Sequence, residues 1–168
     1  MFAHYILILW LAGGQWISAD ANREIVAMSI YYGVNPHVAL AVARIETGNV
    51  PEDRKDSVVS KTGDVGRFQI NKKTWCQKHR IGLTGKECEQ WLQVRSNNIK
   101  LGVSILARLQ KKYANTDRSL TSCQCNGHHS GGWISHYNGG VVVQPDTRAE
   151  RYGVRVGKYA RQSRGLQW

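Results

Sequence analysis

Between residues 36 and 46 the chain reads PHVALAVARIE, and Val38, Ala39, Val42, Ala43 and Ile45 spread apolar character around much of a helix's circumference. A helix apolar on that much of its surface has to be surrounded by other elements, so the fold must be built around it. Asn35 is placed to cap its first turn, and Pro36 loses nothing there by lacking an N–H. Thr47-Gly48-Asn49 marks its end. Glu46 therefore falls in the last turn, where the helix dipole opposes negative charge. A carboxylate leaving an apolar helix is also partly desolvated, and both effects raise its pKa. Glu46 is thus a candidate for proton chemistry.

The elements around this helix read as mostly helical. Ala21 to Tyr31 carries Ile25 and Met28 on one face, extended by Tyr32, and Gly33 ends it. Residues 50 to 66 are polar and turn-rich, predicting a long loop or a short hairpin. Asn71 is placed to cap a helix running into Trp75, and Thr84 with Glu87 has capping-box spacing. Asn98 precedes the clearest amphipathic helix, Ile99 to Tyr113, with Leu101, Ile105, Leu106, Leu109 and Tyr113 on one face. Residues 115 to 132 read as a loop, Trp133 to Tyr137 as a short helix stopped by Asn138-Gly139-Gly140, and Thr147 to Arg161 as a last helix with Tyr152, Val156 and Tyr159 on one side. At 168 residues, 42% hydrophobic and 21% charged, this is one globular domain with a real core rather than a disordered chain. Its loops are unusually long for a compact domain, which points to function.

The formal charge of +11 arises from 23 Lys and Arg against 12 Asp and Glu, a field that gathers anionic polymers. Nucleic acid fits poorly: the basic residues are dispersed, and no zinc-finger spacing, RNP-like strand or basic zipper register is present. The series Arg148, Arg151, Arg155, Lys158, Arg161, Arg164 counts among these dispersed cations. An anionic cell wall or envelope surface uses the same field without base readout.

Tyr5 to Gly14 is an apolar block shorter than the roughly 20 residues of a membrane span, and Ala19-Asp20-Ala21 resembles a small-x-small cleavage site. Residues 1 to about 21 read as a secretion signal, with an uncleaved anchor and a buried N-terminal helix as the alternatives, and 22–168 as the functional domain. Four cysteines agree with export, because disulfides persist in oxidising compartments. Cys76 with Cys88 is the favoured bridge, since Cys123 with Cys125 makes a very tight ring; crossed pairings stay open. Cys123, Cys125, His128 and His129 also form a possible zinc set, but their spacing is tight for zinc and export favours disulfide, so no metal or other cofactor is expected. Most of the six Trp read as core, with one or two lining a groove.

Taken in order, Glu46-Thr47, then Gly66-Arg67-Phe68-Gln69-Ile70, then Asn98-Ile99 with Gly102, then His136-Tyr137-Asn138-Gly139, then Glu150 with Tyr152, this chain resembles the catalytic domain of the soluble lytic transglycosylases, relatives of goose-type lysozyme. The resemblance spans roughly Ile25 to Tyr159. It implies a lysozyme-like helical domain that cleaves the N-acetylmuramic acid to N-acetylglucosamine bond of peptidoglycan and forms a 1,6-anhydromuramyl product. Glu46 matches the family's acid/base. Gln69 matches a cleft glutamine, Tyr137 and Asn138 the Tyr-Asn pair near the acid, and Tyr152 a late tyrosine beside it. Thr47 stands where Ser is usual and keeps the hydroxyl, so Thr47, Gln69, Tyr137, Asn138 and Tyr152 are the expected substrate-binding residues. Arg67-Phe68 and His136 depart from the usual pattern, in detail more than in class.

The resemblance also implies an exported protein of the periplasm or cell envelope, or of a virion, with peptidoglycan strands as partner. Small members of the family serve conjugation or secretion machines or phage particles. Hydrolysis of the same bond, as in a muramidase, needs a second carboxylate about 5 to 9.5 Å from the acid. Glu52, Asp53, Asp56 and Asp64 are the nearest in sequence. If none reaches the cleft, internal attack by the sugar remains. A hydrolytic muramidase and a non-catalytic wall-binding or assembly protein are the competing readings.

Overall fold

The structure, a computed structural model, describes residues 21–78, 82–114, 123, 131–140 and 143–163. The apolar segment forms helix α2 (Pro36–Thr47), preceded by α1 (Ala21–Tyr32). The Asn35 side chain accepts from the His37 N–H at 2.9 Å, so the expected cap is formed, and Gly33 at φ 68° turns the chain between the two helices. Val38, Ala39 and Val42 are fully enclosed, as an all-round apolar helix demands. α1 and the last helix, α7 (Arg148–Ser163), both pack on α2. Burial of each such side chain stabilises by about 1.5–3 kcal/mol.

The remaining elements follow in chain order: a 3-10 turn (Glu52–Arg54), strands β1 (Asp64–Val65) and β2 (Ile70–Asn71), helices α3 (Lys72–Lys78), α4 (Gly85–Gln93) and α5 (Arg95–Tyr113), a 3-10 turn (Trp133–Ser135), and α6 (His136–Gly139) before α7. This is a mostly helical domain with one small antiparallel hairpin, Asp64 facing Asn71 and Val65 facing Ile70. It is consistent with a lysozyme-like fold. The hairpin lies at the end of the polar segment and beyond it, with Gly66 at φ 71° opening its turn, while the polar segment makes a turn of its own in which the Gly63 N–H donates to the Ser60 carbonyl at 3.0 Å.

Local signals set several helix ends. The Asn71 side chain accepts from the Thr74 N–H at 3.0 Å, and Glu87 reaches back to the Thr84 N–H. One boundary differs from expectation: α5 begins at Arg95, so Asn98 sits inside it rather than before it. The Asn98 side chain is turned inward instead, donating to the carbonyls of Val65 at 2.9 Å and Leu92 at 3.0 Å and accepting from the Phe68 N–H at 2.9 Å. Gly102, one turn further along α5, is required by close approach: a Cβ there would stand 2.4 Å from the Phe68 ring.

Cys76 and Cys88 form a disulfide joining α3 to α4, with Cα atoms 6.3 Å apart. A loop of this length adds about 3 kcal/mol by restricting the unfolded chain. Cys123 is disulfide-bonded as well. Cys125, His128 and His129, and with them the possible zinc set, lie outside the described residues, as does the leader through residue 20. Among the described residues no helix is long and apolar enough to cross a membrane.

Arg67 is buried, its side chain only 4% exposed, and is held by Glu52 at 2.7 Å and Asp56 at 2.8 Å, while Asp56 also takes Arg95 at 2.8 Å. Burial works to raise the Asp56 pKa, but the hydrogen bonds and charges of Arg67 and Arg95 outweigh it and hold it below its usual value. The stability this contributes is present above pH 3.8, the ordinary value, and is lost as pH falls toward the depressed one. Asp56→Asn is expected to destabilise the fold by about 2 kcal/mol at pH 7, less than a fully buried pair because Glu52 still faces Arg67. Urea unfolding of both proteins checks it: the gap should narrow below pH 4, and an equal gap at all pH would contradict the assignment.

Candidate active site

The C-terminal turn of α2 delivers Glu46, half-buried, into a groove of about 1420 Å³. Burial raises the Glu46 pKa, the nearby Tyr152 hydroxyl lowers it, the Asp64 carboxylate raises it again, and Arg148 and Arg155 lower it, with burial dominant and the net shift upward. That is the shift a general acid needs to keep its proton toward neutral pH.

Four other expected residues line the same groove: Gln69, Tyr137, Asn138 and Tyr152. Gln69 sits in the hairpin turn at φ 45°, an uncommon conformation for a residue with a long side chain. It is tied by its N–H and its side-chain amide to the Gly66 carbonyl at 2.9 and 2.8 Å. Tyr137, from α6, donates its hydroxyl to the Phe68 carbonyl at 2.7 Å, fixing α6 to the hairpin. Its ring lies nearly parallel to that of Tyr152, centroids 6.2 Å apart. The buried Tyr152 hydroxyl closes no hydrogen bond of full geometry, yet it stands near enough to Glu46 to favour the ionised carboxylate. We read this as a loose approach rather than a formed bond. Burial and the neighbouring Glu46 charge push both phenols well above their usual pKa, so both remain hydrogen-bond donors.

Thr47 is placed apart from these. It is buried, its hydroxyl donates to the Ala43 carbonyl one turn back at 2.9 Å, and it lines a second cavity of about 330 Å³ on another face of α2. That cavity contains neither Glu46 nor Gln69, so the proton chemistry belongs to the larger groove. Arg67 is committed to its ion pairs. His136 is buried, stacked on the Tyr113 ring at 3.7 Å, with Nδ1 2.7 Å from the Gly140 carbonyl. Glu150, quoted in the motif, accepts from the Asp146 N–H at 2.6 Å and steadies the start of α7.

Of the four carboxylates nearest in sequence, Asp64 reaches the groove. Glu52 and Asp56 are held by basic residues, and Asp53 is exposed outside it. The Asp64 carboxylate accepts from Ser60 at 2.8 Å, from Thr62, and from Asn71 at 2.8 Å. Burial works to raise its pKa, but these three hydrogen bonds prevail and hold it low. The groove therefore pairs a carboxyl whose pKa is raised with a carboxylate whose pKa is lowered, an arrangement typical of sites that divide acid and charge-stabilising roles. Reading the sequence singled out neither Asp64 among its loop neighbours nor the basic groove residues Arg108, Lys112, Arg148, Arg151 and Arg155. The spacing of the last three, three and four apart, was the available signal.

The family model described as Transglycosylase SLT domain matches residues 25–153 of the 168. No curated protein and no solved structure gives a significant match.

Proposed function

The chain belongs to the transglycosylase SLT domain family, the lytic transglycosylase catalytic domains that act on peptidoglycan, and we propose that it cleaves the bond between N-acetylmuramic acid and N-acetylglucosamine with Glu46 as acid and then base. The observation that carries this reading is the desolvated Glu46 carboxyl in a groove shared with Gln69, Tyr137, Asn138 and Tyr152. Glu46 gives its proton to the glycosidic oxygen as the bond to the muramyl C1 breaks, freeing the 4-hydroxyl of the departing sugar. The resulting carboxylate takes the proton of the muramyl 6-hydroxyl as that oxygen bonds to C1. A 1,6-anhydro ring results and no water is consumed.

The positive charge that develops at C1 needs a counterpart. The substrate's own acetamido oxygen supplies part, with Tyr137 and Asn138 as candidates to position it. Asp64 supplies a fixed negative charge in the same groove. Its presence favours a second reading, hydrolysis by a muramidase mechanism, in which it would activate water. Against this, a carboxylate has about four lone-pair positions, and three of Asp64's are taken. Its low pKa also makes it a weak base. A charge-stabilising role suits it better. Export to the envelope follows from the substrate's location and is supported by the apolar block at residues 5–14 and by the disulfide.

Digestion of purified peptidoglycan with mass determination of the products tests the reading. Anhydro-ended muropeptides are expected, and reducing-end products alone would transfer the protein to the muramidases. Asp64→Asn is expected to slow turnover by about 10-fold, roughly 1.4 kcal/mol of transition-state stabilisation. Because the Asp64 charge raises the Glu46 pKa, removing it should also move the alkaline limb of the pH-rate profile to lower pH. An unmoved limb would show that Asp64 does not act on Glu46.

A further inference from the structure

Cations from two helices line the groove that holds Glu46 and Asp64: Arg108 and Lys112 from α5, and Arg148, Arg151 and Arg155 from α7. All five are exposed. Steps of three and four residues keep side chains on one helix face, so α7 presents a row about 10 Å long and α5 a shorter one. Among the described residues, the ion pairs engage Lys55, Arg67, Lys72 and Arg95, and none engages Lys112, Arg148, Arg151 or Arg155. The Arg151 guanidinium donates to the Asp146 carbonyl at 2.7 Å, and the Lys112 ammonium stands 4.9 Å from the Tyr113 ring centroid. Both contacts orient a cation without neutralising it.

Lys112, Arg148, Arg151 and Arg155 alone set four cations against the carboxylates of Glu46 and Asp64, and make a groove whose self-repulsion an anionic occupant relieves. A neutral glycan relieves none of it. We propose that the groove selects its substrate by negative charge, the two basic rows recognising the carboxylates of the stem peptides, or the lactyl carboxylate of a muramyl residue that carries no peptide. The inference rests on the glycan-cleaving reading of this groove and names what distinguishes its substrate from a neutral polymer of the same sugars.

The charge arrangement gives the selection a chemical consequence. Arg148 and Arg155 pull the Glu46 pKa down, against the requirement for an acid. Substrate carboxylates seated on those arginines offset the pull, so Glu46 holds its proton more firmly once an anionic strand is bound.

Binding is measured by co-sedimentation of the full chain, as Glu46→Gln to prevent turnover, with insoluble peptidoglycan. The probes are native peptidoglycan and the same material with its carboxyls converted to amides. Amidation is expected to weaken binding about 10-fold, a difference of roughly 1.4 kcal/mol. Salt should do the same between about 0.1 M and about 1 M, as the screening length falls from about 10 Å to about 3 Å. Adding Arg148→Gln, Arg151→Gln and Arg155→Gln should weaken binding to the native material and reduce the response to amidation, leaving only the share carried by the α5 row. Equal affinity for native and amidated material overturns the proposal, and so does a triple variant that discriminates as strongly as Glu46→Gln alone. Displacement by duplex DNA as effective as by soluble muropeptides at equal charge would also overturn it, leaving a general polyanion surface. Turnover by the unmutated protein is scored separately: charge-selective binding without cleavage fails the catalytic reading alone, and cleavage without charge selectivity fails this one alone.

Discussion

Glu46→Gln should lower the rate of peptidoglycan cleavage by about 10²- to 10⁴-fold, the usual contribution of a positioned general acid, while the protein remains folded. Gln keeps the shape of the side chain and cannot give up a proton to the glycosidic oxygen. The stability effect has the opposite sign from the activity effect. Because burial raises the folded-state pKa of Glu46 above 4.5, the native protein binds the proton more tightly than the unfolded chain does. The stability that Glu46 contributes is therefore fully present below pH 4.5 and declines as pH rises through the folded value. A glutamine at position 46 escapes that decline, so the variant should match the unmutated protein in acid and equal or exceed it near neutral pH, as residues retained for chemistry at a cost in stability do. Turnover measured by release of soluble muropeptides, beside thermal unfolding across pH, checks both halves. A variant that is folded and still cleaves at more than a tenth of the original rate would remove Glu46 from the acid's role.

The features legible in the sequence are those whose causes are local. α2 is visible because its apolar positions surround it and Asn35 caps it, and the Asn71 cap and the Thr84–Glu87 pair depend on residues three apart. The position of Glu46 at the helix end follows from the same short-range signals. Thr47 shows where that style of reading stops: adjacent to Glu46 in the chain, it lies a helical step around from it, and its hydroxyl is spent on its own helix. Asp64 could not be told from Glu52, Asp53 and Asp56 by spacing or composition. Pairing of β1 with β2 brings Asn71 to it and turns it into the groove. The arginines of α7 read as dispersed because nothing local says which face of that helix points at Glu46. Packing of α7 on α2 decides it.

Replacement of Asn98 by Ala is expected to give the largest loss of stability. Asn98 is fully buried and its one side chain serves three backbone groups: the carbonyls of Val65 and Leu92 and the N–H of Phe68. These belong to β1, to α4 and to the turn that carries Gln69, so a single amide holds the hairpin and α4 against α5. Alanine removes the Asn98 hydrogen bond from all three at once, in a buried space. At about 1–3 kcal/mol for each buried unsatisfied group, with partial relaxation, the expected cost is about 3–5 kcal/mol. Asn98→Asp should be at least as costly, because an ionised carboxylate can accept from Phe68 but presents oxygen to two carbonyls. The loss should reach the site as well. Phe68 offers its carbonyl to Tyr137 and its ring to the space left open by Gly102, so freeing the Phe68 N–H loosens the link between the hairpin and α6. Activity in the folded fraction should therefore fall further than the folded population does. Unfolding curves in denaturant, with turnover measured well below the transition, separate the two effects. A change smaller than about 1 kcal/mol, the net worth of one ordinary hydrogen bond, would show that Asn98 fills space rather than clamping the hairpin in place.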